Sequence, residues 1–150
     1  MPQSDSHTLI HTTSQFVNAI SDQSFNEMLA YLHRSGISLP RYSVLRILER
    51  QPGMTTSALA DELHLTLGST SQLIDRLELD QLIVRQDDPH DKRIRRIYLQ
   101  EQGLQIVQQV QQISTTVIMS ILHHAPPALQ HEFITVIEKL LPYTQRNTRD

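Results

Sequence analysis

Residues 54–99 read MTTSALADELHLTLGSTSQLIDRLELDQLIVRQDDPHDKRIRRIYL. They divide into a short apolar-periodic segment, a second amphipathic segment and a pair of β-branched runs about a turn. In the first, Leu59, Ala60 and Leu63 share one helical face, with Thr56 or Ser57 as cap. The His64-Leu65 turn leads to Thr66, which suits the N-cap of a helix running to about Asp80. In that helix Leu67, Leu73, Ile74 and Leu77 are expected to face inward, leaving small and polar groups on the other faces. Residues 82–86 and 95–99 alternate as strands, and Asp87-Asp88-Pro89-His90-Asp91 turns between them. Helix, turn, helix and basic hairpin, in that order, make a winged helix-turn-helix: one helix braces, one enters the major groove, and the ribbon reaches the adjacent backbone or minor groove.

Charge agrees with that division. The chain carries 13 Lys+Arg against 16 Asp+Glu, a formal −3, with a sequence pI near 6.2, so any hold on nucleic acid must be local. Between Arg85 and Arg96 five basic residues (Arg85, Lys92, Arg93, Arg95, Arg96) face three acidic ones (Asp87, Asp88, Asp91), a local +2 that leaves −5 for the rest. In isolation KRIRR is a solvated charged strand. In a hairpin after a helix-turn-helix it reads as a DNA contact. Arg76 stays open between a phosphate contact and a salt bridge with Asp75 or Asp80.

Outward from this stretch the chain is helical. Leu9, Phe16 and Ile20 keep 3-and-4 spacing, and Phe25, Met28, Leu29 and Leu32 resume it in a shifted phase. Ser24-Phe25-Asn26-Glu27 has capping-box spacing, which predicts a kink or restart there, and Gly36 marks the helix end. Pro40 opens a second helix with Tyr42, Val44, Leu45 and Leu48 as its apolar stripe, stopped by Pro52-Gly53. Beyond Gly103, Ile106, Val110, Ile113, Val117 and Ile121 define a long helix ending before Ala125-Pro126-Pro127. Leu129, Phe133, Val136, Ile137 and Leu140 define a last one, which Pro142 is expected to end before a disordered TQRNTRD tail.

The expected fold class is therefore mainly α with a small β-hairpin wing: a winged helix-turn-helix with N- and C-terminal dimerisation helices. Residues 1–150 are read as a single domain, with dimerisation helices at 1–36 and 104–145 and a DNA-binding lobe at 37–103. The terminal helices carry apolar stripes too long for the winged core to cover, which predicts a homodimer, and a twofold dimer sets two recognition helices about one DNA turn apart.

Other function classes are excluded one by one. The chain has no cysteine, hence no disulfide, thiolate metal site or thiol redox sensor. No apolar run approaches the roughly 20 residues of a membrane span, and the N-terminus is polar, so a soluble, cytoplasmic protein is expected. His7 and His11 stand i, i+4, and His123, His124 and His131 cluster about the last turn. With Glu132 the sole carboxylate at ligand spacing there, these read as surface or interface histidines, with no metal and no cofactor. No Gly-x-Ser-x-Gly and no phosphate-cradling Gly-rich loop is present, and Asp87-Asp88 lies in a turn, so no enzyme is read.

These residues resemble the MarR (multiple antibiotic resistance regulator) family of bacterial transcription factors. The resemblance is carried by GSTSQLIDRLELDQLIVRQDDPHDKRIRRIYLQEQG at residues 68–103. It is similar to the family's run of Asp-Arg-Leu-Glu, Leu-Val-x-Arg, an Asp-Pro-x-Asp-Arg-Arg wing tip and Leu-Thr-x-x-Gly. LPRYSVLRILERQPGMTTSALADELHLT at 39–66 agrees with the helix before it and the bracing helix. The resemblance implies that Thr66, Gly68, Ser69, Ser71 and Gln72 face the groove and that Arg76 and Arg85 match basic positions. It also implies that Asp91 orients Arg93 toward DNA while Lys92 and Arg95 contact the backbone. Function follows as an expectation: a homodimeric regulator of a pseudo-palindromic operator, a repressor whose affinity a small phenolic or anionic effector modulates. His33, Tyr42 and Arg46 are its candidate pocket. The rival reading is a winged-helix dimer that holds a protein partner without specific DNA binding.

Three positions depart from the family pattern. Gln81 replaces a helix-ending glycine, at a cost on the order of 1 kcal/mol. Gln100 replaces a threonine cap worth about 1 kcal/mol. Gln72 stands where a cation is common, which moves that contact toward adenine.

Overall fold

Six helices and one antiparallel hairpin make up the computed structural model, which describes residues 3–144. The order is α1 (Gln3–Arg34), α2 (Leu39–Arg50), α3 (Thr56–Leu63), α4 (Leu67–Leu79), β1 (Ile83–Asp87), β2 (Arg95–Leu99), α5 (Glu101–His123) and α6 (Pro127–Thr144). Residues up to Ser114 form one compact unit and those from Thr115 a second, with α5 beginning in one and ending in the other. The expected tail lies outside the described residues from 145 onward.

The core of the first unit collects Leu32 and Ile37, then Val44, Leu45 and Leu48 of α2, Leu59 of α3, Ile74 and Leu77 of α4, Ile83 and Ile97 of the hairpin, and Val107 and Val110 of α5. The hairpin pairs Ile83 with Leu99, Arg85 with Ile97 and Asp87 with Arg95. Ile97 is also bridged on its other side: its N–H donates to the Met54 carbonyl and its carbonyl accepts from Gly53 N–H, both at 2.9 Å. The segment before α3 thus acts as a third, one-residue strand, which ties the wing to the bracing helix.

Three helices end in the same way. After α1, Gly36 N–H donates to His33 O and Ile37 N–H to Leu32 O, a Schellman turn with glycine in the left-handed position. His64 (φ 53°) repeats the arrangement after α3 and Gln81 (φ 58°) after α4, each with a side chain where glycine is favoured. Left-handed backbone costs such residues about 1–2 kcal/mol, and glycine's extra freedom in the unfolded chain offsets about half of any gain from replacing them. Gln81→Gly is therefore expected to stabilise by about 0.5–1 kcal/mol, seen as a higher urea midpoint at unchanged slope. An unchanged or lower midpoint would mean that the Gln81 side chain contributes contacts of its own.

Several expectations are corrected. α1 is continuous through Ser24: the Ser24 hydroxyl has no hydrogen-bond partner, while Gln23 Nε2 donates to Glu27 Oε1 one turn on, so the capping box is not made. Thr55, not Thr56 or Ser57, caps α3, accepting from Ala58 N–H at 3.2 Å. Thr66 caps α4 as read, but Leu67 is exposed, because the first turn of α4 projects beyond the core. β1 runs one residue later than predicted. Within α5 the buried positions are Gly103, Val107, Val110 and Val117, with Ile106 half-buried and Ile121 exposed. Pro142 does not end α6, which continues for two residues and satisfies the Leu141 carbonyl with the Thr144 hydroxyl. Gln100 agrees with the expected loss of a threonine cap: its side-chain amide donates to Ile83 O and its N–H to Leu82 O, joining the start of α5 to β1.

Candidate nucleic-acid interface

α4 presents one face to the core and another to solvent because its apolar residues recur at helical spacing. Thr70, Ile74 and Leu77 are buried, while Thr66, Gly68, Ser69, Gln72 and Arg76 are exposed and Ser71 is half-buried. The Thr66 hydroxyl accepts the Ser69 N–H at 3.2 Å and donates to Ser69 Oγ at 2.9 Å. Thr70 donates to the Thr66 carbonyl at 3.0 Å. This first turn is therefore rigidly hydrogen-bonded.

The wing sorts its five cations into two sets. Arg85, on β1, is only 16% exposed in its side chain and is held between Asp75 and Glu78 of α4, its Nη1 lying 2.6 Å from Glu78 Oε2. Arg96 is paired with buried Asp88 and donates from Nη1 to the Gly53 carbonyl at 3.0 Å. Lys92, Arg93 and Arg95 point outward. The Arg93 side chain is 91% exposed, yet its fork is set by Asp91, with Nε 3.1 Å from Oδ1 and Nη2 3.2 Å from Oδ2. Arg95 lies 3.6 Å from Asp87 and remains 69% exposed.

Asp88 organises the tip. Its Oδ1 accepts the N–H groups of His90 at 2.8 Å and Asp91 at 3.3 Å, and its own N–H donates to Ile94 O at 2.9 Å. The His90 N–H, followed by the Arg96 guanidinium, holds the Asp88 carboxyl below the usual carboxylate range, and the Arg93 side chain and N–H do the same for Asp91. Because both values are depressed on folding, their contribution is present above the unfolded carboxylate range near 4 and is lost as pH falls through the lower folded values.

A second network fixes the far end of α4. Buried Arg41 of α2 donates to Gly36 O at 3.0 Å and pairs with Asp80, whose Oδ2 also lies 3.7 Å from Arg76 Nε. Arg76 stays 62% exposed, so this weak pair leaves it accessible. Arg41, Asp80, Asp88, Arg96 and Glu78 were not singled out as site residues in the sequence. The ion pairs and bonds that fix them across elements, Arg85–Glu78, Arg41–Asp80 and Arg96–Gly53, span 7, 39 and 43 positions, beyond any local spacing rule.

A depression of about 340 Å³ joins these parts: Thr55, Thr56 and Ser57 at the start of α3, Leu67 at the start of α4, and Arg93 and Arg95 of the wing line it together. Elsewhere, His33 is exposed, and Arg46 pairs with Glu49 at 2.6 Å while Glu49 also accepts from Gln111 at 3.0 Å. Burial pushes the Tyr42 phenol up, against the opposing pull of Arg46. A cavity of about 280 Å³ is lined by Glu27, Ala30, Tyr31, Arg34, Gln109 and Ile113, and so by none of His33, Tyr42 and Arg46. Among the described residues no group of three or more His, Asp or Glu side chains is placed to hold a metal, and no helix is long and apolar enough to cross a membrane.

Known proteins resemble this chain in sequence and fold. The MarR family model matches residues 37–94, the stretch from the end of the first helix turn to the wing tip. YsmB of Bacillus subtilis, described as an uncharacterized HTH-type transcriptional regulator, is 32% identical over 101 residues, 67% of either chain. The transcriptional regulator HosA of Escherichia coli O111:H- is 27% identical over 105 residues, 70% of this chain and 78% of HosA. Two solved structures share the fold. Regulator Tm0710 of Thermotoga maritima superposes with a TM-score of 0.80 at 18% identity, over 93% of this chain and 99% of its own. A mutant of Staphylococcus aureus MepR bound to an oligodeoxyribonucleotide gives 0.70 at 22% identity, over 88% and 97%. Since the family match falls on α2, α3, α4 and β1, and the YsmB similarity spans two thirds of both proteins, the chain belongs to the MarR family of transcriptional regulators.

Proposed function

We propose that two copies of the chain bind a pseudo-palindromic duplex, one α4 in each major-groove half-site and the wings on the flanking backbone and minor groove, and that binding represses transcription. The carrying observation is the sorting of the wing's cations: Arg85 and Arg96 are neutralised within the fold, and Lys92, Arg93 and Arg95 are left to the solvent beside the start of α4. Arg93 is the best placed, since a guanidinium already oriented by Asp91 loses little freedom on entering a narrow, negative groove. Arg85, expected on DNA, is a positioning residue in this reading: it braces the wing against α4. Thr66, Gly68, Ser69, Ser71, Gln72 and Arg76 supply the groove-facing side. The oligonucleotide on the MepR mutant supports the same use of a shared fold.

Dimerisation through residues 1–36 and 104–145 of a single functional domain is supported by apolar surface left bare. Leu9, Ile10, Val17 and Phe25 are exposed on α1, and Leu129, Ile134, Val136, Ile137 and Leu140 on α6. A small phenolic or anionic effector fits the 280 Å³ cavity, where Tyr31 and Arg34 offer an aromatic face and a cation. Tyr42, Arg46 and His33 remain the alternative lining. The effector need favour one spacing of the recognition helices by only about 1–3 kcal/mol to change DNA affinity 5- to 150-fold.

The test is fluorescence anisotropy with the DNA flanking the chain's own gene. Nanomolar-range binding is expected, with Arg93→Ala weakening it by about 1–3 kcal/mol while the dimer persists on gel filtration. Equal affinity for that DNA and a scrambled duplex would overturn the proposal in favour of a protein-binding module. A monomeric Arg93→Ala variant would mean the wing is structural.

A further inference from the structure

We propose that Gln72 reads a base for this chain, and that the base is an adenine; this rests on the proposal that α4 lies in the major groove. The other polar groups at the start of α4 are engaged or recessed. Thr66 and Ser69 bond to each other, Thr70 is buried against the Thr66 carbonyl, and Ser71 is half-buried. Gln72 is exposed and has no hydrogen-bond partner among the described residues. It stands one turn beyond Gly68, on the side away from Thr70, Ile74 and Leu77.

Gly68 has open space around the position of a missing Cβ, with no atom within 4 Å. There the helix backbone can approach the groove floor closely, and the residue one turn on is carried to the depth of the base edges. Of the nearby carboxylates, Asp80 is paired with Arg41, and Asp75 and Glu78 share Arg85. A carboxamide offers an acceptor and a donor side by side. In the major groove that pair matches the N6 donor and N7 acceptor of adenine, whereas guanine presents two acceptors and each pyrimidine a single polar group.

The experiment is selection of bound sequences from a randomised duplex library by the full-length protein, as wild type, Gln72→Ala and Gln72→Arg. Wild type is expected to enrich a motif with an adenine at one position of each half-site. Gln72→Ala should lose roughly 5- to 150-fold of preference at that position alone, and Gln72→Arg should move the preference there to guanine. A Gln72→Ala motif identical to the wild-type motif, or one weakened equally at all positions, overturns the role of Gln72 and leaves the groove reading standing. Failure of wild type to enrich any motif overturns the groove reading itself, and this inference with it.

Discussion

Gly103→Ala is expected to destabilise the chain by about 3 kcal/mol, a fall in melting temperature of roughly 10 °C at fixed protein concentration. Helix propensity argues the other way, since alanine in a helix interior gains about 1 kcal/mol over glycine. Packing decides the sign. A Cβ at Gly103 would stand 2.2 Å from the Leu82 carbonyl oxygen and 3.2 Å from Leu99 Cδ2. The oxygen cannot retreat cheaply, because it accepts the Gln100 N–H that starts α5, and Leu82 itself donates to Leu77 O in the turn that ends α4. Room for one methyl must come from parting the recognition helix, the wing base and α5 together. A variant melting at or above the wild-type temperature would show that this junction is loose.

The second large effect is on binding. If two copies bind DNA as proposed, their affinity is expected to fall by about a thousandfold between 50 and 200 mM salt. Counting the wings alone, three outward cations on each of two copies, Lys92, Arg93 and Arg95, neutralise six DNA charges from backbone and groove, for a slope of log affinity against log salt near −5. If Arg85 and Arg96 also reached DNA, ten contacts would give a slope near −9 and a fall of about 10⁵. Arg93 and Arg95 also lie beside carboxylates but keep 91% and 69% of their side chains exposed, whereas Arg85 keeps 16% and Arg96 42% with a further bond to the Gly53 carbonyl, and that difference is the reason for choosing the smaller figure. Anisotropy titrations at five or six salt concentrations separate the two, and a slope near zero would deny the wing any electrostatic role.

How much of this was legible in the chain depends on the range over which each feature acts. Thr66 as cap, Gly36 as helix end and the Asp-Pro turn of the wing act within four residues, and each stands where its chemistry placed it. The left-handed turn at Gln81 was implied by the resemblance alone, whose pattern has a helix-ending glycine at that position. The mistaken restart of α1 shows the limit of a local signal: a capping box competes with the uninterrupted helix, and here the helix is kept, with Gln23 bonded to Glu27 one turn on. Distant partners left no mark. Arg41 lies in the stripe expected to be apolar and is paired with a carboxylate 39 positions later, and Arg96 reaches Gly53 across 43. Charge counting alone made all five wing cations equivalent; only burial divides them.

The bracing of β1 against α4 by Arg85, and of α4 against the first helix turn by Arg41, has a metric consequence. With its wing and recognition helix each tied to a neighbouring element by ion pairs, the lobe is expected to move as a unit toward a displaced target. One added base pair between half-sites shifts the second half-site by about 3.4 Å and rotates it by roughly 35°. Such a lobe has to absorb that change as a whole or lose its grip. If two copies bind as proposed, the chain is expected to measure distance along DNA as well as sequence, with its internal arginines fixing the setting of the gauge.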